Sequence, residues 1–266
     1  MIKLTNITND EIQFSSWKFP AGEVGVKLSD FEDKKCYWIV WSPQIDVNMH
    51  DEFFIVANLV NALNHKYPAC KVYIDIKYLP YARQDRVCHE GESFGLQVFA
   101  NMLKSTGASV DLIYDPHSIV SVKETHGIEF RQESAMREIY KMPFDMYVAP
   151  DKGAAEKIRT DMKHKTIFLN KVRVDGKVIH EDLPSGTIPA GSKVCIVDDI
   201  SDGNGTFVSC AKAILKNNPD VELHLAVTHG IFNRGLDNLR GLYKKVYCYN
   251  LMNQSVKDDP LLTVLF

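Results

Sequence analysis

Short apolar runs rich in β-branched residues alternate along this chain with segments whose apolar positions recur at helical spacing. A strand buried on both faces reads as a continuous apolar run, and the helix covering it shows a single apolar stripe. The alternation therefore predicts βα units around a mostly parallel sheet, an α/β fold. In the first half, strands are expected at Lys35–Trp41, Lys71–Ile76 and Ser109–Tyr114, and helices at about His50–Asn64 and Gly95–Ser105. The second of these helices gathers Leu96, Phe99, Ala100 and Leu103 on one side.

The second half repeats the theme. Strands are expected at Met146–Ala149, Lys165–Leu169, Lys193–Val197, Glu222–Thr228 and Lys245–Tyr249, with helices at about Gly153–Asp161 and Thr206–Asn217. Each half reads as a small α/β unit with a comparable order of elements, without a residue-level repeat between them. Met142-Pro143 is the expected boundary, giving domains 1–143 and 144–266, a usual domain size. Between two expected strands, Asn170 to Gly191 has little periodicity and reads as a long loop of the kind that forms lids or binding loops.

Composition narrows the class. With 45% hydrophobic and 24% charged residues the chain is globular, and its net charge of -3 lacks the footprint of a general nucleic-acid binder. Six dispersed cysteines form no CxxC pair or zinc-like spacing and read as reduced packing residues. The first ten residues lack the basic and apolar regions of a signal peptide, and no run approaches the ~20 apolar residues of a membrane span. A cytoplasmic protein without membrane or nucleic-acid partners is expected.

The strongest chemical signal lies at Val194–Thr206, where an apolar strand ends in Asp198 and Asp199 and turns through Asp202, Gly203, Asn204 and Gly205 into a helix at Thr206. Acids at the carboxyl end of a parallel strand can accept from sugar hydroxyls or hold hydrated magnesium. The glycines let backbone N–H groups approach a phosphate, and a helix start adds its dipole. An ordinary βα turn with an acidic cap would account for the glycines alone, but less readily for three acids and two glycines in one turn. No Gly-Lys-Ser/Thr follows, so this is not a Walker A loop. A second segment, Tyr78-Leu-Pro-Tyr81-Ala-Arg83-Gln84-Asp85-Arg86, offers a guanidinium fork for phosphate oxygens or ring stacking, and an amide for a base edge.

The first segment resembles the phosphate loop shared by type I phosphoribosyltransferases and PRPP synthetases, usually two acids followed by Asp-Thr-x-Gly-Thr. The second resembles the Tyr-x-x-Tyr-Ala-Arg-Gln-Asp-Arg segment of the ribose-phosphate pyrophosphokinase (PRPP synthetase) family, which simple phosphoribosyltransferases lack. Further matches follow in the family's order: Lys18–Glu23, Asp115-Pro-His117-Ser118, Pro150-Asp151-Lys-Gly153, Lys171-Val172-Arg173 and Thr228-His229-Gly230. Together they cover most of the chain.

The resemblance implies two type I phosphoribosyltransferase-like domains and transfer of pyrophosphate from Mg-ATP to the 1-hydroxyl of a ribose 5-phosphate group, giving PRPP and AMP for nucleotide biosynthesis. Asp198 and Asp199 are then expected to face the ribose hydroxyls, with Asp202, Gly203, Asn204, Gly205 and Thr206 around the 5-phosphate. Phe19 and Glu23, reaching into a neighbouring subunit of a homo-oligomer, would meet the adenine with Arg83 and Gln84. His117 and Asp151 would organise the magnesium nucleotide, and Lys171 and Arg173 would ride on a mobile catalytic flap.

Three departures stand out. Gly203 occupies the position of the usual Thr, removing a hydroxyl donor and gaining space. Val87–Phe94 lacks the usual basic residues, and Ala21 replaces a polar residue near the adenine. A diphosphate ester needs an opening for its second phosphate. Relatives resembling this family attach pyrophosphate to the same hydroxyl of ADP-ribose in NAD salvage. Ribose 5-phosphate stays slightly ahead because Asp202, Gly205 and Thr206 are retained. The other readings are a PRPP-consuming transferase, against which Tyr78–Arg86 speaks, and a non-catalytic subunit, against which Lys171, Arg173, His117 and Asp151 speak.

Overall fold

The computed structural model describes residues 1–118, 120, 131–133, 136–158, 166–174, 177–184 and 186–265. The chain divides into two compact units, Met1–Glu133 and Ser134–Phe266.

The first unit holds β1 (Ile2–Asn6), β2 (Phe14–Lys18), β3 (Val24–Leu28), β4 (Cys36–Trp41), α1 (Met49–Lys66), β5 (Lys71–Ile76), α2 (Gly95–Ser105), β6 (Ser109–Tyr114) and β7 (Arg131–Glu133). Its five-stranded sheet runs β1-β4-β5-β6-β7, parallel throughout except where β1 meets β4. Helix α1 begins where the Asn48 side chain accepts from the amides of His50 and Asp51, and it carries acids in its first turn and His65 and Lys66 in its last. Its buried face, Phe53, Val56, Leu59, Val60 and Leu63, packs with Leu96, Phe99 and Leu103 of α2 over the apolar strand residues. Strands β2 and β3 form a separate antiparallel hairpin. The Asn58 amide of α1 donates to the Val24 carbonyl of that hairpin at 3.0 Å.

The second unit holds α3 (Met136–Ile139), β8 (Met146–Ala149), α4 (Lys152–Ile158), β9 (Thr166–Val174), β10 (Lys177–Pro184), β11 (Lys193–Ser201), α5 (Gly205–Asn217), β12 (Glu222–Gly230), β13 (Lys245–Leu251) and β14 (Leu262–Val264). Its sheet runs β10-β9-β8-β11-β12-β13-β14, with only the β10–β9 pair antiparallel. One face packs Val194, Ile196, Leu223 and Leu225 under Phe207, Cys210 and Ile214 of α5. The other carries Cys195, Val197 and Ala226 with Ile139, Tyr140, Met142 and Phe144. The segment ahead of Pro143 therefore packs on the second sheet, and the Tyr147 hydroxyl fixes it by donating to the Ile139 carbonyl at 3.0 Å.

The expected loop at Asn170–Gly191 is largely a hairpin instead. Strand β9 continues to Val174 and pairs with β10 from Lys177↔Val174 to His180↔Lys171. Val172, Val174, Val178 and Ile179 favour strand, and the Asp175-Gly176 dipeptide between the strands, outside the described residues, is a strong hairpin-turn sequence. The cysteines form no disulfide. Cys195, Cys210 and Cys248 are buried as expected, whereas Cys88 is exposed. Burial raises the Cys248 thiol to about 12. Among the described residues no helix is long and apolar enough to cross a membrane.

Candidate active site

The acid–glycine loop forms at the carboxyl end of β11. That strand runs on past the expected Val197 to Ser201, with Ile200 opposite His229 and Ser201 opposite Gly230. Asp198 and Asp199 are consecutive strand residues, so they project to opposite faces. Asp199 is buried and Asp198 half-buried, and the Asp198 carboxylate accepts from the Asp199 amide at 2.9 Å.

The left-handed residue of the turn is Asn204, with φ 63°, while Gly203 and Gly205 both stay outside that region. Asn is among the few side chains that adopt αL readily. Its amide is buried and fully engaged. The Asn204 oxygen accepts from Ser201 Oγ at 2.7 Å, and its nitrogen donates to the Gly235 carbonyl and to Asn238 Oδ1, each at 2.8 Å. Asn204 thus braces the loop with its side chain. It makes no side-chain cap on α5, which opens at Gly205. The first-turn amides of that helix are thus left uncapped by the Asn204 side chain and point out of its N-terminus, the arrangement that receives a phosphate.

Other matched positions have structural roles that spacing did not reveal. Asp151 caps α4, its Oδ1 accepting from the Ala154 amide at 2.9 Å. Thr228 and His229 are buried, and the Asn250 amide lies 3.3 Å from His229 Nδ1. At Gly230 a β-carbon would come within 2.2 Å of the Phe232 ring and 2.6 Å of Cys248 Sγ, so only glycine fits. Lys171 and Arg173 lie in β9 opposite His180 and Val178, in phase in the period-two repeat of a strand. Their hairpin partner β10 lies beside α5, the helix that leaves the acid–glycine loop.

In the first unit two matched segments meet at the start of α1. Lys18, next to Phe19 in the hairpin, pairs with Asp51 at 2.6 Å, and the Tyr81 hydroxyl lies 2.7 Å from Nε2 of the adjacent His50. Phe19 is 49% exposed and packs edge-on against Trp17, itself 44% exposed, while Glu23 turns to solvent. Gln84 and Arg83 are exposed. Gln84 lies so close over Gly95 that a β-carbon there would meet its Oε1 at 2.2 Å. Together with His50, Tyr81, Phe53 and Phe99 it lines a cavity of about 270 Å³.

His117 follows β6, two residues after the buried Asp115, whose φ is 40°. It is linked to Tyr78–Arg86 through Asp85, a residue that spacing did not single out. Asp85 is buried, and both its oxygens receive the Arg86 guanidinium, at 3.0 and 3.3 Å. Arg86 holds this carboxyl below its ordinary value against the opposing effect of burial, with Ser118 and His117 acting in the same direction as Arg86.

A mostly parallel sheet whose central strand delivers acids and a helix N-terminus to its carboxyl edge is the arrangement in which open α/β proteins receive phosphorylated ligands. Comparison with known proteins carries this to a family. No family model matches the chain. The ribose-phosphate pyrophosphokinase of Pyrococcus furiosus is 30% identical to it, over 86% of this chain and 80% of that one. That of Sulfurisphaera tokodaii is 28% identical over 90% and 80% respectively. The crystal structure of phosphoribosylpyrophosphate synthetase from Mycobacterium smegmatis superposes with a TM-score of 0.78 at 20% identity, covering 97% of this chain and 87% of that one, and so shares the fold. The chain belongs to the ribose-phosphate pyrophosphokinase family, a family of transferases.

Proposed function

We propose that the chain transfers the β,γ-pyrophosphoryl group of ATP to the anomeric 1-hydroxyl of a ribose 5-phosphate group, releasing AMP. The hydroxyl oxygen forms a bond to the β-phosphorus, the bond from that phosphorus to the α,β-bridging oxygen breaks, and the hydroxyl proton passes to solvent. The observation that carries the reading is the acid–glycine loop, braced by Asn204 and opening on helix amides that the Asn204 side chain does not cap. In this assignment those amides hold the 5-phosphate with Asp202 to Thr206, and Asp198 and Asp199 orient the sugar. Arg83, Gln84 and His117 take the nucleotide. Lys171 and Arg173 on β9 supply the cations that offset charge on the transferring group.

Magnesium, when bound, would neutralise the ATP oxygens and polarise the β-phosphorus. The donor chemistry fits such a role for Asp151, a carboxylate at the start of α4, and the family resemblance assigns His117 to the same nucleotide. Among the described residues no three His, Cys, Asp or Glu side chains converge as a metal cage. Magnesium usually takes one or two carboxylates and completes its shell with phosphate oxygens and water. The exposed aromatic pair Trp17 and Phe19 supports a homo-oligomer in which this hairpin completes a neighbour's nucleotide site, in a cytoplasmic enzyme.

ADP-ribose is the second reading for the acceptor, favoured by Gly203, where the loop presents no side chain. The test is AMP release from Mg-ATP with ribose 5-phosphate and with ADP-ribose in parallel, the product identified by mass. AMP from neither acceptor would overturn the assignment of the reaction.

A further inference from the structure

The turn that follows β12 is fastened to the acid–glycine loop along its length. Asn204 donates to Gly235 O and Asn238 Oδ1, Asn238 returns a bond to Gly203 O at 3.2 Å, and the Asn233 amide donates to Asp202 O at 3.1 Å. The turn is also held from within. Phe232 is fully buried in a left-handed conformation at φ 41°, with its carbonyl accepting from Asn253 at 2.8 Å and from the Gly235 amide at 2.9 Å. A buried aromatic residue keeps such a backbone only where its surroundings impose it.

What this frame presents is Arg234. Its side chain is exposed and makes no ion pair among the described residues, unlike Arg86 with Asp85 or Arg240 with Asp237 and Asp259. A β-carbon placed on Gly203 would lie 3.5 Å from Asn233 Oδ1 and 3.7 Å from Cδ and Nε of Arg234. The space beside Gly203 is therefore bounded by an amide oxygen and a guanidinium, of which the guanidinium is the donor.

We propose that Arg234 forms a subsite beside Gly203 for a second anionic group on the 5-substituent of the acceptor, so that the enzyme takes a ribose 5-diphosphate ester. The inference rests on the reading that Asp202–Thr206 holds the phosphate nearest the ribose. A monoester ends inside the loop. A diphosphate ester continues outward, and on the Gly203 side no side chain of the loop blocks it while a cation stands one side chain away. The guanidinium fork matches the paired oxygens of a phosphate, which an ammonium meets only as a point charge.

The test compares the unaltered enzyme with R234A, R234K and G203T. AMP release is measured with ribose 5-phosphate and with ADP-ribose as the diphosphate-ester probe, and the binding of each acceptor is measured by calorimetry. R234A is expected to lower kcat/KM for ADP-ribose relative to ribose 5-phosphate by about tenfold, with a matching loss of ADP-ribose affinity, and R234K to recover only part of it. Gly203 is not left-handed, so G203T adds no backbone strain and should move the ratio the same way by placing a side chain against Arg234. Equal losses for both acceptors in R234A, or an unaltered enzyme that prefers ribose 5-phosphate, would overturn the subsite. Binding of ADP-ribose that depends on Arg234 without AMP release would sink the transfer reaction and leave the subsite standing. Binding of neither acceptor overturns both.

Discussion

Asn204 joins two roles that substitution can separate. Replacing it with Gly keeps the left-handed backbone and removes three hydrogen bonds, from Ser201 Oγ at 2.7 Å and to Gly235 O and Asn238 Oδ1 at 2.8 Å. Each such bond contributes about 1 kcal/mol, and Ser201, fully buried, is left with a hydroxyl that has lost its acceptor. The expected loss is about 2–4 kcal/mol, which corresponds to roughly 6–15 °C in the melting temperature of a unit of this size. Asn204→Ala makes the same deletion and forces a β-carbon into φ 63°, adding about 1–2 kcal/mol. Calorimetric melting of both variants gives the two contributions by difference. In the AMP-release assay both variants should raise the acceptor KM more than they lower kcat, because a brace acts on the placement of the loop. The reasoning fails if Asn204→Gly melts within about 1 °C of the unaltered protein, or if Gly and Ala variants melt together.

Three further outcomes are expected. Gly230→Ala should cost about 1–3 kcal/mol by overpacking against the Phe232 ring and Cys248, measured by denaturant unfolding, and Phe232→Leu in the same chain should recover part of it. Lys171→Ala should lower turnover about 10²-fold or more without a matching loss of melting temperature, and near-normal turnover would remove Lys171 from the reaction. Glu222 lies 3.0 Å from His224, which holds the Glu222 carboxyl below its ordinary value, with Lys193 and Lys244 helping against the effect of burial. A depressed folded value means that this stabilisation is present above the unfolded value, near 4.3, and disappears as the pH falls through the folded one. Glu222→Gln should therefore melt below the unaltered protein at pH 7 and converge with it towards pH 3, and a gap that widens in acid would contradict the assigned cause.

The central strands were legible as short apolar runs rich in β-branched residues, buried at every residue in Met146–Ala149 and at alternate residues in Lys71–Ile76. Lys71–Ile76, Ser109–Tyr114 and Met146–Ala149 were expected and found with the same bounds, as was the α2 stripe at Gly95–Ser105. Elements stabilised from outside their own sequence were missed. The β2–β3 hairpin is mostly exposed along Phe14–Lys18, so no apolar period marks it. Strand β10 and the extension of β9 depend on pairing with each other, which periodicity does not record. Likewise β11 was expected to stop at Val197, where its apolar run ends, but the ladder to β12 carries the acids on to Ser201.

The candidate site divides in the same way. Three acids and two glycines in one turn announce a phosphate loop by composition alone, whereas the frame around it joins Ser201–Gly205 to Asn233–Asn238, residues far apart in sequence. Gly203 and Gly205 were expected to let backbone amides approach a phosphate, and the left-handed position of the turn falls between them, on Asn204. The difference matters physically. Glycine would satisfy that backbone equally well but would leave the loop tied to the second turn by the Asn233 amide and the Asn238 side chain, freer to adjust around a ligand. Asparagine accepts the same conformation and adds an amide that fastens the loop to a second turn before any ligand arrives, so the donors facing the phosphate need not be ordered at the moment of binding. An Asn flanked by glycines at a strand-to-helix turn was the one local signal for this brace. Its consequence is that whatever occupies the loop also meets the turn bearing Asn233 and Arg234, because Asn204 holds the two as one surface.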